Sequence, residues 1–124
     1  MEAKTILVVD DNPDARRAVV RTLELHGYRV LETGDPSEVS ALASRGDAPP
    51  DLLVTDVVMP EKSGITLAAE MGRAWPNIKT LFISGYADRD VNVGGLPEGK
   101  RAFLEKPFSI NALAAKVAEL LAED

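Results

Sequence analysis

ILVVDDNPDARRA, residues 6–18, passes from four apolar residues into two aspartates, then Asn12 and Pro13. The apolar run is rich in β-branched residues, and Thr5–Val9 reads as a buried strand. Pro13 suits the first position of a helix, where its missing N–H would have no partner anyway, with Asp11 or Asn12 as the cap. That helix is predicted to run to about His26. Ala15, Val19, Thr22 and Leu23 share one face, and Gly27 stops it. A buried strand that ends in two adjacent negative charges either caps the helix or holds something positive.

Outward from this stretch the same reading repeats. Tyr28–Glu32 is predicted as a strand, and Asp35-Pro36 restarts a helix with Val39, Leu42 and Ala43 inward, ending near Gly46. LLVTD (52–56) is nearly all apolar, hence a strand buried on both faces. MPEKSG (59–64) is a loop. A helix follows from about Ile65, with Leu67, Ala68 and Met71 apolar, until Trp75-Pro76. KTLFIS (79–84) and RAFLE (101–105) are further strands. The last helix, Ser109 to Ala122, places Ile110, Leu113, Ala114, Val117, Leu120 and Leu121 on one stripe, with Ser109 or Asn111 as cap. Residues 85–100 hold four glycines and a proline, so the fourth helix is expected to be short or loose, about Asp88 to Val93. Alternating strands and helices imply an α/β fold with a parallel sheet and helices on both faces. Five strands suggest the flavodoxin-like order 2-1-3-4-5.

The 124 residues suit one domain, 1–124, and 45% apolar content supplies one core. A net charge of −6 argues against a nucleic-acid surface. Arg16, Arg17 and Arg21 fall on one helix and read as a solvated face. With no cysteine, thiolate metal sites and disulfides are excluded, which suits a reducing cytoplasm. The N-terminal apolar run is too short for a signal peptide. No stretch approaches the roughly 18 apolar residues of a membrane span. The Arg-Gly-Asp triplet in RGDAPPD (45–51) reads as part of an ordinary loop.

In such a sheet, ligands gather at the C-terminal strand ends, near the point where strand order reverses. Asp10 and Asp11, Asp56, Ser84 and Lys106 stand there, each after an apolar run. Singly, each has an ordinary explanation: a helix cap, a strand terminus, a turn hydroxyl, a solvated charge. Together, the carboxylates of neighbouring strands crowd one rim and raise one another's pKa. A divalent cation removes that difficulty. Mg²⁺ prefers carboxylate, water and phosphate oxygens. A lysine and a hydroxyl at the same rim then look like phosphate ligands.

VVDDNP, LLVTDVVMPEKSG, LFISGYA and FLEKPF, in this order and spacing, resemble the receiver domain of two-component response regulators over essentially the whole chain. The resemblance implies that Asp56 accepts a phosphoryl group from a phosphohistidine, on a histidine kinase or a histidine phosphotransfer domain. It implies that Asp10 and Asp11 hold Mg²⁺ with Asp56, and that the Val58 carbonyl is a further ligand. Lys106 binds the phosphoryl group, Ser84 is the switch hydroxyl, and Phe103 takes the place of the switch aromatic. Gly64 belongs to the turn after the phosphorylation loop, and Lys106-Pro107 is a cis peptide. The changed face is that of the fourth helix, the fifth strand and the last helix. Ser84 replaces the frequent threonine. Phe103 lacks a hydroxyl, so its two states differ only by packing. Val58 and Tyr86 occupy positions that modulate hydrolysis in the family, and their bulk implies a long-lived phosphoform. His26, at a helix end, suits the dipole and is not a phosphodonor.

Three rivals are weighed against this. A haloacid-dehalogenase-like phosphatase wants Asp-x-Asp after its first strand, where this chain has Asp10-Asp11-Asn12, and the chain is short for that class. A flavodoxin-like cofactor binder wants a first loop of Ser, Thr and Gly to cradle phosphate. A silent receiver would serve only as a docking module, although the acceptor, cation ligands, hydroxyl and lysine are all present. LFISGY with FLEKPFS resembles receivers of hybrid histidine kinases more than those ahead of DNA-binding domains. The expectation is a cytoplasmic domain, stand-alone or excised from a hybrid kinase, with no nucleic-acid or membrane contact of its own.

Overall fold

The apolar runs become strands in the computed structural model, which describes residues 3–44, 49–85 and 101–122. They are β1 (Thr5–Val9), β2 (Arg29–Thr33), β3 (Leu52–Asp56), β4 (Lys79–Ser84) and β5 (Arg101–Glu105). All neighbours pair in parallel, in the order β2-β1-β3-β4-β5. The α/β, flavodoxin-like expectation holds. The described helices are α1 (Pro13–Leu25), α2 (Pro36–Ser44), α3 (Gly64–Ala74) and α4 (Ile110–Ala122). The short helix expected at 88–93, the end of the second helix near Gly46, and Tyr86 lie outside the described residues.

Side-chain alternation along the strands divides the interior in two. Ile6, Val8, Leu52, Val54, Leu81, Ile83 and Leu104 pack with Val19, Val20 and Leu23 of α1 and Leu113, Val117 and Leu120 of α4. Leu7, Val9, Leu53 and Phe82 pack the other way, with Val39 of α2 and Leu67, Ala68 and Met71 of α3. All five residues of β3 are buried, as a strand covered on both faces requires. Truncating the fully buried Leu53 to alanine would cost about 3 kcal/mol through lost transfer energy and an unfilled cavity.

Several boundaries and one face differ from expectation, β2 ending at Thr33 and α4 starting at Ile110 among them. β2 starts at Arg29, one residue late, because Tyr28 N–H is tied back to the Leu23 carbonyl at 3.2 Å while Gly27 N–H takes Glu24. That pair of bonds closes α1 in a Schellman motif with Gly27 at φ 90°, so Tyr28 cannot yet join the sheet. α1 accordingly ends at Leu25, with His26 as its cap and the His26 ring on the Thr22 carbonyl. α3 begins at Gly64 rather than Ile65, since Ser63 caps it through Thr66 N–H. Ile110, placed on the inward stripe by periodicity, is 64% exposed. It is the first residue of α4, where Ser109 caps Ala112 N–H, and it overhangs the core. No helix among the described residues is long and apolar enough to cross a membrane.

Candidate functional site

The alternation that sorts the core also aims the site. Asp10 continues the Ile6, Val8 series, Asp56 the Leu52, Val54 series and Lys106 the Leu104 position, so all three emerge on the α1/α4 side of the sheet. Ser84 follows Phe82 onto the opposite side, where Phe82 stacks on its register partner Phe103, ring centroids 5.1 Å apart. The expected set therefore divides: an ionic cluster on one face of the rim, a hydroxyl and an aromatic on the other.

Asp10 is buried and held at several atoms. Its N–H donates to the Thr33 carbonyl at 3.2 Å, and its Oδ1 accepts Asn12 N–H at 2.9 Å. Asn12, not Asp11, caps α1, accepting Asp14 and Ala15 N–H. Asp11 is thus left exposed and free of a capping role. Asp56 Oδ1 accepts Val58 N–H at 3.3 Å, and Asp56 Oδ2 meets Lys106 Nζ at 3.0 Å. Lys106 is itself placed by its own N–H, which donates to the Ser84 carbonyl at 2.8 Å, and Lys106-Pro107 is cis as expected.

One oxygen from each of Asp10, Asp11 and Asp56 lies within 4.8 Å of the others. Burial pushes the Asp10 carboxyl above its ordinary value, and the charges of Asp56 and Asp11 push the same way, against Asn12 and Lys106. A hard, all-oxygen donor set with excess negative charge is what Mg²⁺ takes. Ligands about 2.1 Å from one such ion lie at most about 4.2 Å apart, so a small closing movement suffices. The residues fit the ion.

Gly64 contributes more than a turn. A Cβ there would stand 2.1 Å from the Asp56 carbonyl oxygen, so only glycine lets the start of α3 close against the strand end. Its N–H donates to Val57 O at 2.8 Å, fixing that approach. The Val58 side chain is exposed beside the rim. A groove of about 390 Å³ opens next to Asp10 and Lys106, between α1 and α4, walled by Ala18, Thr22, Pro107 and Ile110.

One reading is overturned. Arg17 and Arg21 are solvated, but Arg16 folds back over the rim, its Nη1 donating to the Asp10 carbonyl at 2.6 Å and its Nε to Glu32 at 3.0 Å. Helical position alone gives no hint of this. The signal lies in the sheet register, where Glu32 sits opposite Val8, two residues before Asp10.

Comparison with known proteins agrees with this fold. Residues 6–118 match the family model described as the response regulator receiver domain. The chain is 41% identical over 118 residues to the sensor kinase CckA of Brucella abortus (strain 2308), covering 94% of this chain and 12% of that protein. It is 36% identical over 118 residues to the response regulator receiver protein CpdR of the same strain, covering 95% of this chain and 97% of that one. The crystal structure of the receiver domain from the hybrid histidine kinase CckA superposes with a TM-score of 0.78 at 32% identity, covering 94% of this chain and 98% of that one.

Proposed function

The chain belongs to the response regulator receiver family, and from that premise we propose that it is a phosphorylation-switched signalling domain that takes a phosphoryl group onto Asp56. The donor is a phosphohistidine on a histidine kinase or a histidine phosphotransfer domain. The domain acts in the cytoplasm, as a stand-alone regulator or within a hybrid sensor kinase, without touching nucleic acid or membrane itself. The observation that carries this is the convergence of Asp10, Asp11 and Asp56 oxygens within 4.8 Å, with Lys106 Nζ 3.0 Å from Asp56.

Phosphoryl transfer needs positioning and charge neutralisation more than covalent help. Asp10, Asp11 and Asp56, with the Val58 carbonyl as a further ligand, would hold Mg²⁺, which when bound would neutralise charge on the phosphoryl oxygens. An Asp56 oxygen supplies the electron pair that forms the O–P bond while the P–N bond of the donor breaks. The departing imidazole nitrogen keeps the electron pair of the broken P–N bond and later takes a proton. Lys106 leaves Asp56 for a phosphoryl oxygen. The domain in this way promotes its own phosphorylation.

The acyl phosphate adds about −2 charge and three strong acceptors. Ser84 donates to one of them and vacates space beside Phe82. Phe103, 39% exposed in the resting structure, turns inward. The face of β5 and α4 then changes by a shift between two existing states. Val58 and Tyr86 slow hydrolysis by hindering water. A lifetime of seconds, unchanged by Tyr86→Ala, would oppose that last point.

Incubation with Mg²⁺ and acetyl phosphate, or with beryllium fluoride, tests the reading by intact mass and NMR. One phosphoryl group per chain, absent in Asp56→Asn, is expected. A folded protein that stays unmodified would instead be a silent docking receiver.

A further inference from the structure

We propose that Arg16 is a positioning residue of the metal-binding rim: its guanidinium locks the Asp10–Asp11 peptide so that both carboxylates are presented together. This rests on the reading of Asp10, Asp11 and Asp56 as Mg²⁺ ligands. The Asp10 carbonyl and the Asp11 N–H belong to one planar peptide, so fixing the carbonyl fixes the direction in which the chain enters Asp11. Arg16 Nη1 holds that carbonyl at 2.6 Å. The Asp10 N–H and Oδ1 are already committed, to Thr33 O and Asn12 N–H. The Asp10–Asp11 peptide plane is therefore set mainly by the arginine.

Arg16 is anchored in turn. Its Nε meets Glu32 Oε1 at 3.0 Å, and its side chain is only 21% exposed. Two contacts from one rigid planar fork define an orientation that a lysine ammonium cannot reproduce. The slot is kept open by Gly34, just past β2. A Cβ there would stand 2.7 Å from Arg16 Nη1 and 3.5 Å from the Asp10 carbonyl oxygen. Arginine, carboxylate anchor and side-chain-free slot come from α1, β2 and the turn after it. All three converge on one carbonyl.

Charge and position make opposite forecasts. A positive charge beside a cation site weakens cation binding by repulsion. If Arg16 were only a charge, its removal would tighten metal binding. As a positioning residue its removal loosens it, as loss of an outer partner of a ligand does.

Titration of the full chain with Mn²⁺, followed by electron paramagnetic resonance, reads the difference without any phosphorylation. Arg16→Gln is expected to bind about tenfold more weakly. Arg16→Lys keeps the charge and stays closer to Arg16→Gln than to the parent. Gly34→Ala keeps every charge, pushes the guanidinium aside and weakens binding a few-fold. Arg17→Gln, an exposed charge on the same helix, binds as the parent does or slightly more tightly. Circular dichroism checks folding, and if Arg16→Gln fails to fold, Gly34→Ala and Glu32→Gln decide. Parent-like or tighter binding by Arg16→Gln, or in that event by both other variants, overturns the proposal. A parent protein that binds no Mn²⁺ sinks the metal reading and this inference together, whereas a parent that binds and variants that match it sink this inference alone.

Discussion

The two ends of one parallel sheet handle charge in opposite ways. At the end where the strands begin, two charged side chains are each tied to backbone. Asp51, just before β3, accepts Thr5 N–H at 2.8 Å. Lys79, the first residue of β4, donates to the Leu120 carbonyl at 2.6 Å, satisfying an orphan acceptor at the end of α4. At the end where the strands finish, Asp10, Asp11 and Asp56 crowd together and Lys106 forms an ion pair with Asp56. The first end binds these side chains to its own backbone and reads as scaffold. The second gathers three carboxylates around one lysine, and in the proposed function an external ion and a phosphoryl group would complete it. Sequence places aspartates and lysines at both ends; what separates them is pairing.

The largest test of that contrast removes the lysine paired with Asp56. Lys106→Ala should slow labelling by acetyl phosphate about 10²-fold, the usual cost of deleting one group that stabilises developing charge. The rate of phosphoryl incorporation measures it, and a change within two-fold would mean that Lys106 merely decorates the rim. Gly64→Ala comes next. Its new Cβ would meet backbone, the Asp56 carbonyl, which has no flexible end to swing away. A loss of about 3 kcal/mol in denaturant unfolding is expected, together with slower labelling, because relief requires moving the peptide of Asp56, the proposed acceptor. Third, Mg²⁺ at ten times its dissociation constant should stabilise the fold by about 1.4 kcal/mol. The increment should be lost in Asp56→Asn. Stabilisation by Mg²⁺ that survives this change would place the ion elsewhere and break the contrast between the two ends.

Most of the scaffold was legible because burial on both faces writes itself as continuous apolar runs. β1, β3, β4 and β5 sit where those runs sit. β2 is an edge strand with mixed exposure, and its start depends on how α1 closes, through Tyr28 and Leu23, which no local pattern announces. The site's residue types were legible for a similar reason: a charge directly after an apolar run is conspicuous. What escaped was contact across elements. Arg16 has the spacing of a solvated helix residue, and only the β1–β2 register brings Glu32 and the Asp10 carbonyl to it. Gly64 looked like turn chemistry because its constraint, the Asp56 carbonyl, comes from eight residues earlier in the chain and becomes a neighbour only on folding. Ile110 failed for the opposite reason: helical periodicity assigns a face but not how far the core extends along it.

The smallest predicted effect is the most exacting check on the contrast. Asp51→Ala removes one hydrogen bond to the Thr5 N–H at the end where the strands begin. A partly buried bond of this kind contributes about 1 kcal/mol net, or roughly 4 °C in melting temperature for a domain of this size. The variant should show that loss, yet bind Mg²⁺ and accept phosphoryl groups as the parent does. The reason is distance along the strands: β1 and β3 separate Asp51 from the rim by their whole length, and their interior is apolar and fully packed. A charge removed at one end is then felt at the other only by weak, screened interaction across the protein. If Asp51→Ala instead shifted the Mg²⁺ affinity several-fold, the strands would be transmitting strain between their ends. The two ends could then no longer be treated as independent.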